Sequence, residues 1–338
     1  MKIFLKIFRY LLLLLIIISS LLLASWIFDL VIRVINPPPK ISYGITFSAP
    51  YAESLGLNPS EAYRTILSDL GVKEVRIPVY WERVEKEKGK FDFSEVDKLL
   101  ETSREKNVKV ILAIGYRVPR WPECYPPAWA KDLSKEKLKP EILNLIKTSV
   151  EHFSKSPEII AWQVENEPML QFFGECSIFG EQFLKEEVSL VKNNDSRPVI
   201  LTDSGELSLW SSALKIPDQM GTSLYQTVYN PWFGFVNYPF PPVLYRLKVF
   251  LVPKIYGGTS DIFISELQAE PWITGSPILN TSIEDQIKLF SINDFKGTTE
   301  FAANTHIKRQ YLWGAEWWYF MKDKGYPEYW EFAKEIFR

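Results

Sequence analysis

Apolar residues are distributed along this chain in two ways. Residues 10–28 carry no charge and are mostly leucine and isoleucine. A helix of nineteen such residues rises roughly 28 Å, close to the thickness of a bilayer's hydrocarbon core. Lys2, Lys6 and Arg9 precede the stretch, which favours a cytoplasmic N-terminus. The alternative is a cleaved signal peptide, whose apolar run is usually about 7–15 residues and ends at a small-x-small site. Here the run is longer, and Leu22-Leu23-Ala24-Ser25-Trp26 is a poor site. Segment 1–36 is therefore expected to be a membrane anchor or, alternatively, a signal segment. Residues 37–40, with Pro37-Pro38-Pro39, form a stiff spacer. Both readings put residues 41–338 outside the cytoplasm, either tethered or secreted.

Beyond residue 40, short apolar runs alternate with segments of helical period. Strands are expected at 41–48, 75–79, 108–114, 159–164, 199–202, 220–224, 262–265 and 311–317. The run at 108–114 contains one lysine among apolar residues, as a buried parallel strand does. Between them lie helix signals. Asn58-Pro59 with Glu61 is a cap, a first-turn proline and an acid at the third position. Gly71 closes that helix. Ser94 caps another; Pro140 opens one with Ile142, Leu143, Ile146, Val150 and Phe153 on one face. Residues 180–192 are helical in pattern, Ser282 with Asp285 caps a long helix running past Phe290, and 327–337 form the last helix. Eight strand–helix units predict a parallel sheet closed into a (β/α)₈ barrel over 41–338. The doubly wound alternative wants a Gly-rich loop after the first strand, and Gly44-Ile45-Thr46-Phe47-Ser48 is not one.

Composition narrows the function. The charge balance is −2, with 39 basic and 41 acidic side chains, so nothing points to a nucleic-acid partner. Two histidines and two cysteines in all argue against a zinc site, and no metal or organic cofactor is expected. Cys124 and Cys176 fall in the loops after strands three and four, and an oxidising compartment favours a disulfide between them. With 12 Trp, 16 Tyr and 22 Phe, the chain has more aromatic surface than a core requires. Flat apolar surfaces of this kind suit sugar rings. Many of these aromatics crowd 229–256: Trp232, Phe233, Phe235, Tyr238, Phe240, Tyr245, Phe250 and Tyr256, with Pro231, Pro239, Pro241 and Pro242. This insertion has its own small core, walls a glycan site, or touches the membrane.

In a (β/α)₈ barrel the chemistry sits at the C-terminal ends of strands. Strand four is followed by Glu165-Asn166-Glu167-Pro168, and strand seven by Glu266, with Gln268, Glu270 and Trp272 beyond it. Two carboxylates facing each other across a barrel mouth are what glycoside hydrolysis needs: one protonates the leaving oxygen, the other attacks the anomeric carbon. Glu165 precedes Asn166, so its alternate direction turns it from the sugar. Glu270 is left between a sugar contact and a loop charge, and Asp203-Ser204-Gly205-Glu206 between a substrate contact and a plain turn. His152 and His306 fall on predicted helices and read as structural.

The segment Trp162-Gln163-Val164-Glu165-Asn166-Glu167-Pro168 resembles the strand-four signature of the (β/α)₈ retaining glycoside hydrolase clan, which includes the cellulase-like family 5 and families of β-galactosidases and β-xylosidases. Arg76-Ile77-Pro78-Val79-Tyr80-Trp81, followed by Gly89-Lys90-Phe91-Asp92-Phe93 and Asp97, resembles its strand-two region. The resemblance implies a β-linked glycan as substrate, with Glu167 as general acid/base and Glu266 as nucleophile. It implies that Asn166 meets the sugar 2-hydroxyl, that Arg76 lies beneath the nucleophile, and that Tyr225 hydrogen-bonds Glu266. It also implies that Trp317 or Trp318 floors the sugar subsite. Many family 5 members carry histidines after strands three and six; this chain has Gly115-Tyr116-Arg117 and Tyr225 there. Transglycosylation and sugar binding without catalysis on the same scaffold are the alternatives.

Overall fold

Eight of the apolar runs pair side by side and close on themselves in the computed structural model, which describes every residue except 1, 171–173, 231 and 274–277. The strands are β1 (Ser42–Thr46), β2 (Glu74–Pro78), β3 (Lys109–Ile114), β4 (Ile159–Val164), β5 (Val199–Asp203), β6 (Gln219–Leu224), β9 (Ile262–Gln268) and β10 (Arg309–Trp313); β7 (Thr227–Asn230) and β8 (Gly234–Asn237) form a separate hairpin. The barrel order is β1-β10-β9-β6-β5-β4-β3-β2, all parallel. The expected (β/α)₈ barrel is therefore present.

The helices are α1 (Lys2–Ile35), α2 (Ala49–Ser54), α3 (Pro59–Leu70), α4 (Trp81–Val84), α5 (Ser94–Glu105), α6 (Lys135–Phe153), α7 (Glu181–Asn194), α8 (Pro242–Tyr256), α9 (Ile283–Leu289), α10 (Ile292–Ala303), α11 (Ala315–Asp323) and α12 (Glu328–Ile336). The Asn58 side chain accepts from the Glu61 amide at the start of α3, and Gly71 ends that helix in the left-handed region at φ 74°.

Side-chain alternation along the strands builds the site's floor. Ile111, Ala161, Ile200, Phe263 and Tyr311 form a buried cluster of their own inside the barrel. Two residues after Ala161, Ile200 and Phe263 come Gln163, Thr202 and Ser265, all buried and all polar. An apolar layer thus lies under a polar one, on the mouth side.

Several expectations are corrected. The eighth strand ends at Trp313, because Gly314 at φ 131° turns the chain into α11. A Cβ at Gly314 would stand 2.8 Å from the Ala269 carbonyl oxygen, so only glycine fits the turn. The helix expected past Phe290 is two, α9 and α10, because Ser291 and Asp294 form a capping box that starts a new helix. α6 begins at Lys135, before Pro140, which lies inside it. His152 is on α6, hydrogen-bonded to Asp97, but His306 sits in the turn before β10 with φ 63°.

The 229–256 insertion resolves into the hairpin and α8. One face of α8 packs on Trp210, Leu214 and Met220 through Val252 and Val249. α1 is apolar and long enough to cross a bilayer, with mean hydropathy 2.8 over its most apolar 18 residues. Its last turns lie beside α8: the Trp26 indole donates to the Pro239 carbonyl (3.0 Å). The buried Asp29 carboxylate accepts from the Val243 amide (2.8 Å) and from Arg33 (2.6 Å).

Candidate active site

The β4 and β9 ends carry the two glutamates, with β5 and β6 between them around the barrel. Glu266 is within β9, and its carboxylate is held twice: Arg76 Nη1 donates to Oε1 at 2.9 Å and the Tyr225 hydroxyl to Oε2 at 3.1 Å. Arg76 comes from β2, is fully buried, and spends its other donors on Gln163 Oε1 (2.5 Å), the Ser265 carbonyl (3.2 Å) and Asn166 Oδ1 (2.6 Å). One guanidinium thus ties β2, β4 and β9 together under the mouth, and the ion pair is charge-assisted on both sides. Four of its five N–H donors are thus used on protein, so Arg76, expected among the substrate contacts, here holds the Glu266 carboxylate in place.

Glu167 follows β4 with φ 42°, a strained position for a residue with a Cβ. Its amide donates to Thr202 Oγ1 at 2.8 Å. Burial pushes its carboxyl well above the usual range, and the charges of Glu266 and then Glu123 push it further. Its Oε1 is buried with no hydrogen-bond partner. An acid that keeps its proton with one oxygen uncommitted can donate to a leaving group.

Asn166 lies between these groups. Its Oδ1 accepts from Arg76 and Thr202, and one amide hydrogen goes to Glu123 Oε1 at 3.0 Å. Its second amide hydrogen has no hydrogen-bond partner among the described residues. Glu165 turns away from the mouth, as expected: its carboxyl accepts from the amides of Tyr116 (2.6 Å) and Arg117 (2.8 Å). Gly115, at φ 130°, makes room for it, since a Cβ there would stand 2.2 Å from Glu165 Oε1. Behind it lies the buried Glu187, whose carboxyl is pushed well up by burial and by the charge of Glu165.

The tryptophan expectation does not hold. Trp317 and Trp318 are fully buried on α11, with their indoles donating to Gln286 Oε1 (2.8 Å) and the Ala269 carbonyl (2.7 Å). The early end of β10 puts them on a helix facing the core. Trp313, the last residue of β10, takes the place at the strand's C-terminal end, and the Arg120 guanidinium lies over its ring at 4.4 Å.

The sequence reading missed this arginine, with Glu123 and Glu316, and left Glu270 open. Arg120, in the loop after β3, forms an ion pair with Glu270, after β9, and lies on the Tyr51 ring at 3.4 Å. β3 and β9 are on opposite sides of the barrel, so the pair spans the mouth. Glu316 is 3.7 Å from the same arginine, and burial lifts its carboxyl to about 7. Glu123, paired with Arg117, is likewise lifted to about 7 by burial. The one sequence signal for this loop is Cys124. It forms a disulfide with Cys176, Cα–Cα 5.4 Å, which ties the β3 loop to the β4 loop. Glu206, in the polar cluster after β5, accepts from the Tyr225 amide (2.9 Å) and the Tyr245 hydroxyl (2.8 Å) and so supports Tyr225. Among the described residues no group of His, Cys, Asp and Glu is arranged to hold a metal ion.

Comparison with known proteins gives the geometry a context. Residues 72–186 match the model of glycosyl hydrolase family 10. The match covers 115 of the chain's 338 residues, about a third. The matched segment includes Arg76, Asn166 and Glu167 and stops before Glu266. In sequence the chain is 25% identical over 167 residues to β-galactosidase BgaA of Clostridium cellulovorans, a match covering 43% of this chain and a quarter of that protein's length. In structure it is similar to xylanase 10B from Thermotoga maritima, with a TM-score of 0.57, 17% identity, and 88% of this chain and 95% of that one covered. It is also similar to exo-β-1,4-mannosidase Op5Man5 from an Opitutaceae bacterium, at a TM-score of 0.55, 12% identity, and 89% and 60% coverage. At these identities the structures speak for the fold, so the resemblance to the (β/α)₈ glycoside hydrolase clan stands on fold together with the matched segment.

Proposed function

We propose that this chain is a retaining glycoside hydrolase that cleaves a β-linked glycan outside the cytoplasm, tethered by α1. The observation that carries the reading is the contrast between two glutamates at one mouth. Glu266 is ion-paired to Arg76 and hydrogen-bonded by Tyr225, while burial and neighbouring negative charge keep the proton on Glu167. A buried carboxyl that keeps its proton, beside a carboxylate held by an arginine and a phenol, can divide the work as acid and nucleophile.

Glu266 attacks the anomeric carbon as Glu167 gives its proton to the departing glycosidic oxygen. The C–O bond to the leaving group breaks and an ester bond from sugar to Glu266 forms. Glu167, now a carboxylate, takes a proton from water, whose oxygen displaces Glu266 and restores the starting state. The remaining amide hydrogen of Asn166 is available to a hydroxyl of the bound sugar. Two carboxyls and water balance this reaction without a cofactor.

A panel of 2-deoxy-2-fluoro aryl β-glycosides tests the proposal. Such sugars form the ester and release it slowly. The expected result is a covalent adduct located by peptide mass spectrometry on Glu266, with natural β-glycosides giving products of retained configuration. Products of inverted configuration, or an adduct on Glu167, would overturn it.

A further inference from the structure

The way α1 lies against the barrel determines which end of the barrel meets a membrane. Barrel strands run from floor to mouth, and α1 can be followed in the opposite sense. Its end is at the floor: the His306 ring, in the turn before β10, meets the backbone of Asn36, and the Ser42 amide donates to the Lys308 carbonyl (2.8 Å). Walking back along α1, Asp29 reaches Val243 at the start of α8, and Trp26 reaches Pro239. Pro239 follows the β7–β8 hairpin, which leaves the barrel just after Tyr225, the residue that hydrogen-bonds Glu266. The ten residues from Asn36 back to Trp26 rise roughly 15 Å, up the side of the barrel from floor to mouth. The uncharged stretch that ends near Trp26 therefore continues beyond the mouth, not beyond the floor.

The hairpin stands at that level with the wrong surface for water. Trp232 is 87% and Phe233 81% exposed at its tip, and Tyr229 and Phe235 are exposed on its strands. No charged residue occurs from Tyr225 to Tyr245. In the neighbouring loop after β5, Leu207 and Leu209 are also exposed. Uncharged aromatic surface beside a spanning helix is what the headgroup boundary of a bilayer accommodates.

We propose that the β7–β8 hairpin docks into the outer leaflet beside α1 and holds the barrel mouth against the membrane, so that the substrate is a glycan carried on a membrane lipid. The proposal rests on the anchor and hydrolase readings above. A free polymer would have to enter between mouth and bilayer, whereas a lipid-borne glycan reaches the mouth from the membrane itself.

The full chain in phospholipid nanodiscs supplies the test. Both cysteines are in the disulfide, so one introduced thiol takes one fluorophore. Leu14→Cys on α1, Phe233→Cys at the hairpin tip and Lys155→Cys in the loop below β4 are labelled in turn, with doxyl lipids as quenchers. Quenching at 14 and 233 but not at 155 is expected. Quenching at 14 alone overturns the docking and leaves the anchor intact; no quenching at 14 removes the anchor and the docking with it. Quenching at 155 in place of 233 overturns the orientation. A second arm compares one β-glycoside, free as its aryl glycoside and carried on a dialkyl lipid in the disc. Trp232→Ser with Phe233→Ser should lower kcat/KM for the lipid-borne form about tenfold, through lost interfacial burial, and leave the free form unchanged. An equal fall on both forms, or none on either, overturns the assignment of a membrane-borne substrate.

Discussion

Glu167 and Glu266 are the same residue type at two strand ends of one barrel, and each is 6% exposed. Burial alone therefore cannot set them apart. What differs is the company. Around Glu266 are a guanidinium at 2.9 Å and a phenol at 3.1 Å. Around Glu167 are the negative charges of Glu266 and Glu123 and one oxygen without a partner. An opposite charge rewards ionisation and like charges penalise it. On the proposed mechanism, Arg76 on β2 is the group whose charge most separates the surroundings of two equivalent side chains.

The strongest test of that contrast is to exchange each carboxyl for an amide. Glu266→Gln should lower kcat by about 10⁴-fold or more for every leaving group, since nothing remains to attack. Glu167→Gln should cost about 10²–10⁴-fold on poor leaving groups. An activated aryl glycoside should still form the covalent intermediate in that variant, and added azide should restore its turnover. Azide rescue of Glu266→Gln with retained configuration, and none of Glu167→Gln, would reverse the two roles.

Removing the arginine is the next largest change. Arg76→Met leaves Glu266, Gln163 and Asn166 without their shared donor. Stripping one partner from a buried ion pair costs about 3–5 kcal/mol, to be read from urea unfolding. Arg76→Lys should recover only part of the stability and of kcat, because an ammonium lacks the planar fork that reaches all three partners. Full recovery with lysine would mean that charge alone, and not geometry, sets the two glutamates apart.

The protonation difference also predicts a dependence on pH. Glu167 has a raised folded value, so its proton contributes stability that is complete below the usual 4.5 and lost as pH rises through the folded value. Glu167→Gln should therefore melt at a higher temperature than the native chain at alkaline pH and gain less at acidic pH. The alkaline limb of kcat/KM should vanish in the same variant. A smaller effect is expected at Glu123, whose charge helps to hold the proton on Glu167. Glu123→Gln should move the alkaline limb down by less than about one pH unit. A shift upward would mean that Glu123 acts on Glu167 other than by its charge.

The barrel was readable because a (β/α)₈ fold repeats local signals. Val110 to Ile114 is apolar because that strand is buried on both faces, and Asn58-Pro59 caps α3 through contacts within one turn. Glu167 and Glu266 were readable because strand ends in such a barrel are where side chains converge. The expected eighth strand runs too far because Tyr311 to Trp317 is apolar apart from Glu316, and only the turn at Gly314 separates strand from helix. That single turn leaves Trp313, not Trp317 or Trp318, at the strand's C-terminal end.

The sequence alone determined whatever depends on near neighbours: helix caps, buried strands, the uncharged stretch, and which residues end each strand. Tertiary structure alone decided what depends on distant ones. Arg120 meets Glu270 across the mouth from 150 positions away, and Arg76 meets Glu266 from 190. Asn166 is shared among β2, β5 and the β3 loop, and α1 runs up the barrel wall toward the mouth. These contacts act over a few ångströms between segments far apart in the chain, and no local pattern of residue types records which of them the closing barrel brings together.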